Sequence, residues 1–313
     1  MSGSTGLRKN GARSLVVALV AALTVLGTGA LAAPGAAAAP VGPADPASPD
    51  RPVTVAYVEV NDHELRTVGD YELADGSNVF DIAIIFAANI NHGPSGPYLH
   101  LNEQVQATLD DAATQVRPLQ DKGIKVTLSL LGNHQAAGFA NFRSRAEADR
   151  FARQVAQVVR TYGLDGVDID DEWVRYGTDG VPAAKRNSAA WLVDALDARL
   201  PQGSIISLYD IGEAASTLKE APAHLVDKID YIWNPYYGQY NVPAFPGVSP
   251  SRLGPAAVDL NRTSAASAAR LAARTVADGY GVLVTYDLRA GDRSAYLSAI
   301  TRELHGQEAR YTG

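Results

Sequence analysis

The chain has 313 residues, 46% of them hydrophobic and 19% charged, and a net charge of −7. The acidic balance disfavours nucleic acid and anionic membrane surfaces as partners. There is no cysteine, so disulfides and thiolate metal sites are excluded, and the core must hold the fold without covalent staples.

The first segment reads as an export signal rather than as fold. Arg8, Lys9 and Arg13 form a positive n-region, residues 15 to 26 are an apolar run, and residues 30 to 39 are Ala-rich with several Ala-x-Ala sites. This pattern predicts a secretory signal peptide over residues 1–38, cleaved after Ala38. A membrane anchor is the competing reading, but the apolar run falls short of the roughly 20 residues that a span needs. Residues 39–52 are rich in Pro and Ala and read as a leader or linker.

From residue 53 to residue 313 a single domain is expected. Short β-branched or apolar runs predict eight strands, over residues 53–60, 79–86, 124–131, 165–171, 204–209, 229–233, 256–260 and 281–286. Helical periodicity lies between them. Residues 145–162 place Phe151, Val155, Val158 and Val159 on one face, with Gly163 where a helix C-cap belongs. Residues 188–200 bury Trp191, Leu192, Ala195 and Leu196, and residues 264–278 form a further helix. Residues 61–78, with Gly69 and Gly76, read as a hairpin replacing the first helix. Eight strands alternating with helices over a length near the typical ~250 residues predict an α/β fold, a (β/α)8 TIM-type barrel with some helices shortened or replaced. A doubly wound open sheet is the alternative, but no Gly-rich dinucleotide fingerprint follows a strand.

The fourth strand is chemically unusual. Asp168, Asp170 and Glu172 alternate along it, with Val167 and Ile169 between them. Side chains two apart share a face of a strand. Three acids on one face resist burial and favour retention of a proton by at least one of them. Glu172, at the end of the run, is therefore the candidate general acid. A solvated loop or a metal site is the bland alternative, but Val and Ile spacers fit a strand better than a calcium loop. Asp165 has the opposite parity and reads as structural.

In such barrels chemistry sits at the C-terminal strand ends. The same geometry places Tyr57, Ser129, Asn234, Tyr236 and Tyr286 around the mouth. Each also has a plain structural reading. Tyr57, Tyr236 and Tyr286 could be core tyrosines, and Asn234 could cap the turn before Pro235. His134 falls in the loop after the third strand, and the six histidines do not cluster in sequence.

Residues 165–172, Asp-Gly-Val-Asp-Ile-Asp-Asp-Glu, match the DGxDxDxE signature of glycoside hydrolase family 18. Residues 56–60, 85–91, 128–134, 233–238 and 279–286 resemble segments of the endo-β-N-acetylglucosaminidases of that family. The resemblance runs from Val53 to the C-terminus. It implies hydrolysis of the GlcNAc-β1,4-GlcNAc core bond of high-mannose or hybrid N-linked glycans by a substrate-assisted, retaining mechanism. It further implies that Glu172 is acid and base, that Asp170 holds the substrate acetamide, and that Asp168 hydrogen-bonds Asp170 and shares a proton with it. Asn234 and Tyr236 would be further acetamide contacts, and Tyr57 and Tyr286 sugar platforms. No metal and no cofactor is called for. The implied partner is the N-linked glycan of a glycoprotein, met by a secreted monomer.

Two alternatives remain at this level. One is a chitinase or chito-oligosaccharide hydrolase, although residues 233–236 read Trp-Asn-Pro-Tyr where many chitinases carry a Met-x-Tyr-Asp type segment. The other is a non-catalytic carbohydrate-binding protein on the same barrel, which retention of Glu172 and Asp170 disfavours.

Overall fold

The computed structural model describes residues 51–133 and 136–313. The expected signal peptide, most of the expected leader, and His134 lie outside the described residues.

The chain enters the fold through strand β1 (Val53–Glu59), followed by a short 3-10 turn (Leu65–Asp70), β2 (Tyr71–Leu73), β3 (Ile82–Gly93) and β4 (Gly96–His100). Three short helices follow, α1 (Glu103–Asp110), α2 (Ala112–Gln115) and α3 (Arg117–Asp121), and then β5 (Lys125–Leu131) and the long α4 (Arg145–Tyr162). The middle of the chain carries β6 (Gly166–Asp170), α5 (Ser188–Arg199), β7 (Ile205–Tyr209), α6 (Gly212–Leu218), α7 (Ala223–Val226) and β8 (Tyr231–Trp233). It ends with β9 (Leu253–Gly254), β10 (Ala256–Asp259), α8 (Ala265–Ala277), β11 (Val282–Tyr286), α9 (Ser294–His305) and β12 (Ala309–Tyr311).

The main sheet runs in the order β10-β11-β1-β3-β5-β6-β7-β8-β9, with parallel pairing throughout. Its two outer strands are neighbours in sequence, because only Pro255 separates β9 from β10. Proline has no N–H to give to a ladder. One barrel position is thus split at Pro255, its first half pairing with β8 and its second with β11. Counted that way, all eight expected strand positions are present and the sheet curls into a (β/α)8 barrel.

Strand parity sorts the core into two layers. Val55, Tyr57, Ile84, Tyr209, Trp233 and Val284 pack inside the barrel. Ala56, Val58, Ala83, Ile85, Val167 and Ile169 face the surrounding helices. Helix α4 carries much of that outer layer. Ser144 caps its N-terminus by accepting from the Glu147 N–H, Phe151, Val155 and Val159 are buried, and Gly163 ends it in the left-handed region with φ 62°. Trp191 on α5 is partly buried against the same layer.

Gly166, the glycine of the acidic signature, has a physical reason of its own. A Cβ there would lie 2.1 Å from the carbonyl oxygen of Ile205. β6 and β7 therefore meet closely at this pair only because residue 166 has no side chain.

Three features differ from the sequence reading. Residues 61–78 turn back on themselves only at their end, where Glu72 meets Asn78 in a single antiparallel bridge and the Leu73 N–H donates to the Ser77 carbonyl at 2.7 Å. They hold the 3-10 turn and β2, which pairs antiparallel with β12 at the far end of the chain, Tyr71 opposite Tyr311 and Leu73 opposite Ala309. A pairing that depends on residues more than 200 positions away leaves no local periodic signal. The second barrel strand continues beyond Phe86 to Gly93 and folds back onto β4, a hairpin absent from the sequence reading. Finally, α1 to α3 fill the region 103–121, where short helices broken at Asp111 and Val116 give no sustained helical period.

Candidate active site

β6 delivers its acids to the C-terminal mouth of the barrel. Asp168 points into the barrel and is fully buried. It accepts hydrogen bonds from three hydroxyls: Ser207 Oγ to Oδ1 at 2.8 Å, and Tyr57 Oη at 2.8 Å and Ser129 Oγ at 3.0 Å to Oδ2. Burial raises its pKa to about 6, while the three donors oppose that rise by favouring the carboxylate. Tyr57 also accepts from Trp233 Nε1 at 3.0 Å, which completes a buried Trp233–Tyr57–Asp168 relay. Tyr57 is thus a core donor with no exposed surface rather than a sugar platform, and Ser129 likewise serves Asp168 and is buried.

Asp170 sits one strand step further out and is only 4% exposed, yet it lines the cleft. Its Oδ1 is buried without a hydrogen-bond partner. Burial raises its pKa well above the ordinary carboxylate value, and the charges of Asp168, Glu172 and Asp171 raise it further. Asp168 and Asp170 are coupled through charge, the negative charge of Asp168 adding to the rise in the Asp170 pKa. Asp170 therefore brings to the cleft a carboxylate with unused acceptor capacity, which a ligand N–H can satisfy.

Glu172 lies just beyond the end of β6, half-buried, and lines the same cleft. The cleft has a volume of about 430 Å³ and is walled by Glu59, Asn61, Phe86, Asn89, Asn102, Leu131, Pro235, Tyr237 and Tyr286, with Tyr209 beside Asp170. Tyr286 takes its expected place on the wall, its ring stacked on that of Tyr237 at 5.3 Å between centroids. Tyr237 Oη is 2.9 Å from Tyr209 Oη. Burial raises the Tyr237 pKa, and the charges of Asp170 and Glu172 raise it further, so this phenol keeps its proton beside the acids.

Tyr237, not Tyr236, thus brings the tyrosine of this segment into the cleft. Tyr236 is 50% exposed and does not line it. Asn234 is also placed differently from the sequence expectation. It is 1% exposed, its Nδ2 donates to the carbonyls of Tyr236, Gln239 and Pro255, and its Oδ1 accepts from the Tyr236 N–H. Every polar atom of that amide is consumed in shaping the loop, which leaves none for a substrate. Pro235, which cannot continue the strand, turns the chain so that Tyr237 enters the cleft one residue later than the motif suggests.

Asp171 was not legible as a site residue. It has the wrong parity for the cleft and is buried, accepting from the Phe139 N–H at 3.2 Å, the Tyr176 hydroxyl and the Ala214 N–H at 2.8 Å. Those donors come from the β5–α4 loop, the β6–α5 loop and the start of α6, so one carboxylate ties three loops around Glu172. Burial raises its pKa to about 6 despite the three donors. Gly138 and Gly212 approach it so closely that a Cβ on either would collide with it. By contrast, Asp165 has the structural role expected. It accepts from the Val126 N–H and Gln120 Nε2 and pairs with Lys125. On the other side of Glu172, Trp173 is 66% exposed with φ 60°. A left-handed backbone is rare for so bulky a residue and is typical of segments held for function.

Among the described residues, no group of three or more His, Asp or Glu side chains is arranged to hold a metal ion. What the site presents is a proton donor, a buried acceptor two residues away, and an aromatic, amide-lined wall. That set suits hydrolysis of a sugar bearing an acetamide.

Comparison with known proteins agrees. The chain is 56% identical over 260 residues to an endo-β-N-acetylglucosaminidase of Flavobacterium sp. (strain SK1022), covering 83% of this chain and 82% of that one. It is 31% identical over 271 residues to endo-β-N-acetylglucosaminidase F1 of Elizabethkingia meningoseptica, covering 82% of this chain and 79% of that one. The crystal structure of EndoBT-3987 from Bacteroides thetaiotaomicron with Man5GlcNAc product superposes with a TM-score of 0.73 at 26% identity, covering 84% of this chain and 63% of that one. The family profile described as Glycosyl hydrolases family 18 matches residues 53–247, the span that carries β1 through β8 and the whole acid ladder, and the chain belongs to that family.

Proposed function

We propose that this glycoside hydrolase cuts the GlcNAc-β1,4-GlcNAc bond in the core of high-mannose or hybrid N-linked glycans. The observation that carries this reading is Asp170: a carboxylate that lines the cleft together with Glu172 and has one buried oxygen, Oδ1, without a hydrogen-bond partner. The relatives support the choice of bond. Two are named for endo-β-N-acetylglucosaminidase activity, and EndoBT-3987 has been captured with Man5GlcNAc product and with Man9GlcNAc2Asn substrate.

Family 18 is among the exceptions to the two-carboxylate scheme of retaining glycosidases. The acetamide carbonyl oxygen of the reacting GlcNAc attacks its own anomeric carbon. The glycosidic C–O bond breaks, and Glu172 gives its proton to the departing oxygen. Positive charge develops on the acetamide as the oxazolinium forms. Asp170 accepts the acetamide N–H and stabilises that charge across the low-dielectric floor of the cleft. Water then attacks the anomeric carbon from the side the leaving group vacated, Glu172 takes up its proton, and the configuration is retained. Asp168, held by its three hydroxyls, supplies the negative potential that makes Asp170 respond to charge at the acetamide.

The test is to incubate the purified protein with a high-mannose glycoprotein and, separately, with chitin oligomers, each with and without chelator. The expected result is a mass loss that leaves one GlcNAc on each glycosylated Asn, insensitivity to chelator, and slow or no cleavage of chitin. Preferential cleavage of chitin would replace this reading with a chitinase, and tight glycan binding without cleavage would replace it with a binding protein.

We further propose that the enzyme is exported and acts as a monomer on glycoproteins outside the cell. The positive n-region, the short apolar run and the Ala-x-Ala sites support export. Intact-mass analysis of protein recovered from culture medium should find an N-terminus between Ala33 and Pro40. A retained Met1 on protein in the medium would refute the cleavage.

A further inference from the structure

The backbone that carries Glu172 is packed against three glycines. Gly132, the first residue after β5, donates its N–H to the Asp170 carbonyl at 3.0 Å, and a Cβ on it would lie 2.7 Å from the Glu172 carbonyl oxygen. A Cβ on Gly138, in the same β5–α4 loop, would lie 2.7 Å from Asp171 Oδ1. A Cβ on Gly212, at the start of α6, would lie 2.7 Å from Asp171 Oδ2 and would also strike the Asp171 carbonyl oxygen. A side chain at any of the three would push residues 170–172 out of place.

Asp171 ties the same segments together. Its Oδ1 accepts from the Phe139 N–H and the Tyr176 hydroxyl, and its Oδ2 from the Ala214 N–H. The donors are anchored in turn. Tyr176 Oη accepts from the Ala140 N–H at 3.1 Å, the Phe139 carbonyl from Ser188 Oγ at 3.0 Å, and the Ala140 carbonyl from the Lys185 N–H at 2.7 Å. Ala214 lies in the first turn of α6, whose N-cap residue Ile211 makes no side-chain cap, so Asp171 supplies the acceptor that this helix end lacks.

Burying a carboxylate costs free energy that an apolar side chain would not. What the carboxylate offers is acceptor capacity on both oxygens and no donor. Asparagine at this position would turn its own N–H groups toward one set of those donors. The benefit that fits this cost is geometric, because the next residue is Glu172. A reacting group misplaced by about 1 Å can lose about 10²-fold in rate.

We propose that Asp171 is a positioning residue for Glu172: held by three donors and crowded by glycines, it fixes the backbone from which the proton donor reaches the glycosidic oxygen. Asp171 is 2% exposed and does not line the cleft, so it acts through Glu172 and not on the substrate. This rests on the assignment of Glu172 as acid and base given above.

The experiment compares a high-mannose glycopeptide with an aryl glycoside of the same oligomannosyl GlcNAc, alongside thermal melting. In Asp171→Asn, kcat on the glycopeptide should fall by about ten- to a hundredfold while KM stays within about threefold. On the aryl glycoside kcat/KM should fall by less than about threefold, since that aglycone departs without a proton from Glu172. Tyr176→Phe removes one of the three tethers and keeps the charge of Asp171. It should show the same pattern on the scale of one hydrogen bond, about three- to tenfold on the glycopeptide. Wild-type kcat in a folded Asp171→Asn protein overturns the proposal, as do equal losses on the two substrates or a loss confined to KM. An unchanged Tyr176→Phe protein would show that Asp171 acts by charge and not by its tethers, which also overturns it. If Asp171→Asn does not fold, Tyr176→Phe decides by the same criteria. Failure of the Glu172 assignment shows up separately, as a Glu172→Gln protein that keeps wild-type turnover.

Discussion

Glu172→Gln is expected to lower kcat on a high-mannose glycoprotein by about 10²–10⁴-fold, the usual contribution of a general acid–base group. The substitution keeps shape and volume but removes the carboxyl assigned to protonate the leaving oxygen. Glycan affinity should survive, since the aromatic wall of Tyr237 and Tyr286 and the carboxylate of Asp170 are untouched. A sharper signature comes from the leaving group. A substrate whose aglycone departs without protonation, such as an aryl glycoside, should lose far less rate in the first step than the glycoprotein does. If a folded, pure Glu172→Gln protein turns over glycoprotein at the wild-type rate, the assignment fails. An equal loss on activated and natural substrates would also count against it, pointing to general disruption of the cleft.

The parts of the site that sequence made legible are those fixed by strand parity. Asp168 and Asp170 point inward while Val167 and Ile169 face the helices, as a period of two requires. The closeness of β6 to β7 at Gly166 and the cap at Gly163 also follow from local chemistry. What stayed hidden depends on chain beyond the ends of strands. Tyr236 and Tyr237 are adjacent, and only the turn at Pro235, held by the four hydrogen bonds of Asn234, decides which one enters the cleft. Asp171 looked like one more acid of the run, yet its three donors come from segments between 5 and 43 residues away. Residues close in sequence leave a period to read, whereas the loops of a barrel meet only after the sheet has curled. The pairing of β2 with β12 is the same lesson at the scale of the whole domain.

Asp170→Asn should separate activity from stability. Asparagine is nearly the same shape, but it carries no charge to offset the developing oxazolinium, and its amide can present a donor where an acceptor is needed. Hydrolysis should fall by about 10²–10³-fold, the scale seen when one preorganised electrostatic contact is removed from a transition state. A preformed sugar oxazoline bypasses the step that Asp170 assists, so the variant should still transfer the sugar from that donor onto a GlcNAc acceptor. Stability should move the other way. In the folded protein the Asp170 pKa is raised above its unfolded value by burial and then by the neighbouring charges. The folded state therefore holds this proton where the unfolded chain releases it. That contribution is fully present below the unfolded value, near 3.9, and is lost as pH rises through the folded value. At neutral pH the wild-type fold thus bears the cost of a buried acid crowded by other acids, and the Asn variant does not. Its melting temperature should exceed that of the wild type at pH 7, on a scale of about 2–4 °C per kcal/mol relieved. The gap should close as pH falls toward 4. His305, pushed down to about 4 by burial, titrates in both proteins, whereas Asp168 and Asp171, both near 6, are coupled to Asp170 by charge, so the difference between the two curves reports Asp170 together with its effect on these two neighbours. A variant that loses activity and also melts lower at pH 7 would show that Asp170 supports the fold rather than straining it. Unchanged hydrolysis together with unchanged oxazoline use would remove Asp170 from the mechanism altogether.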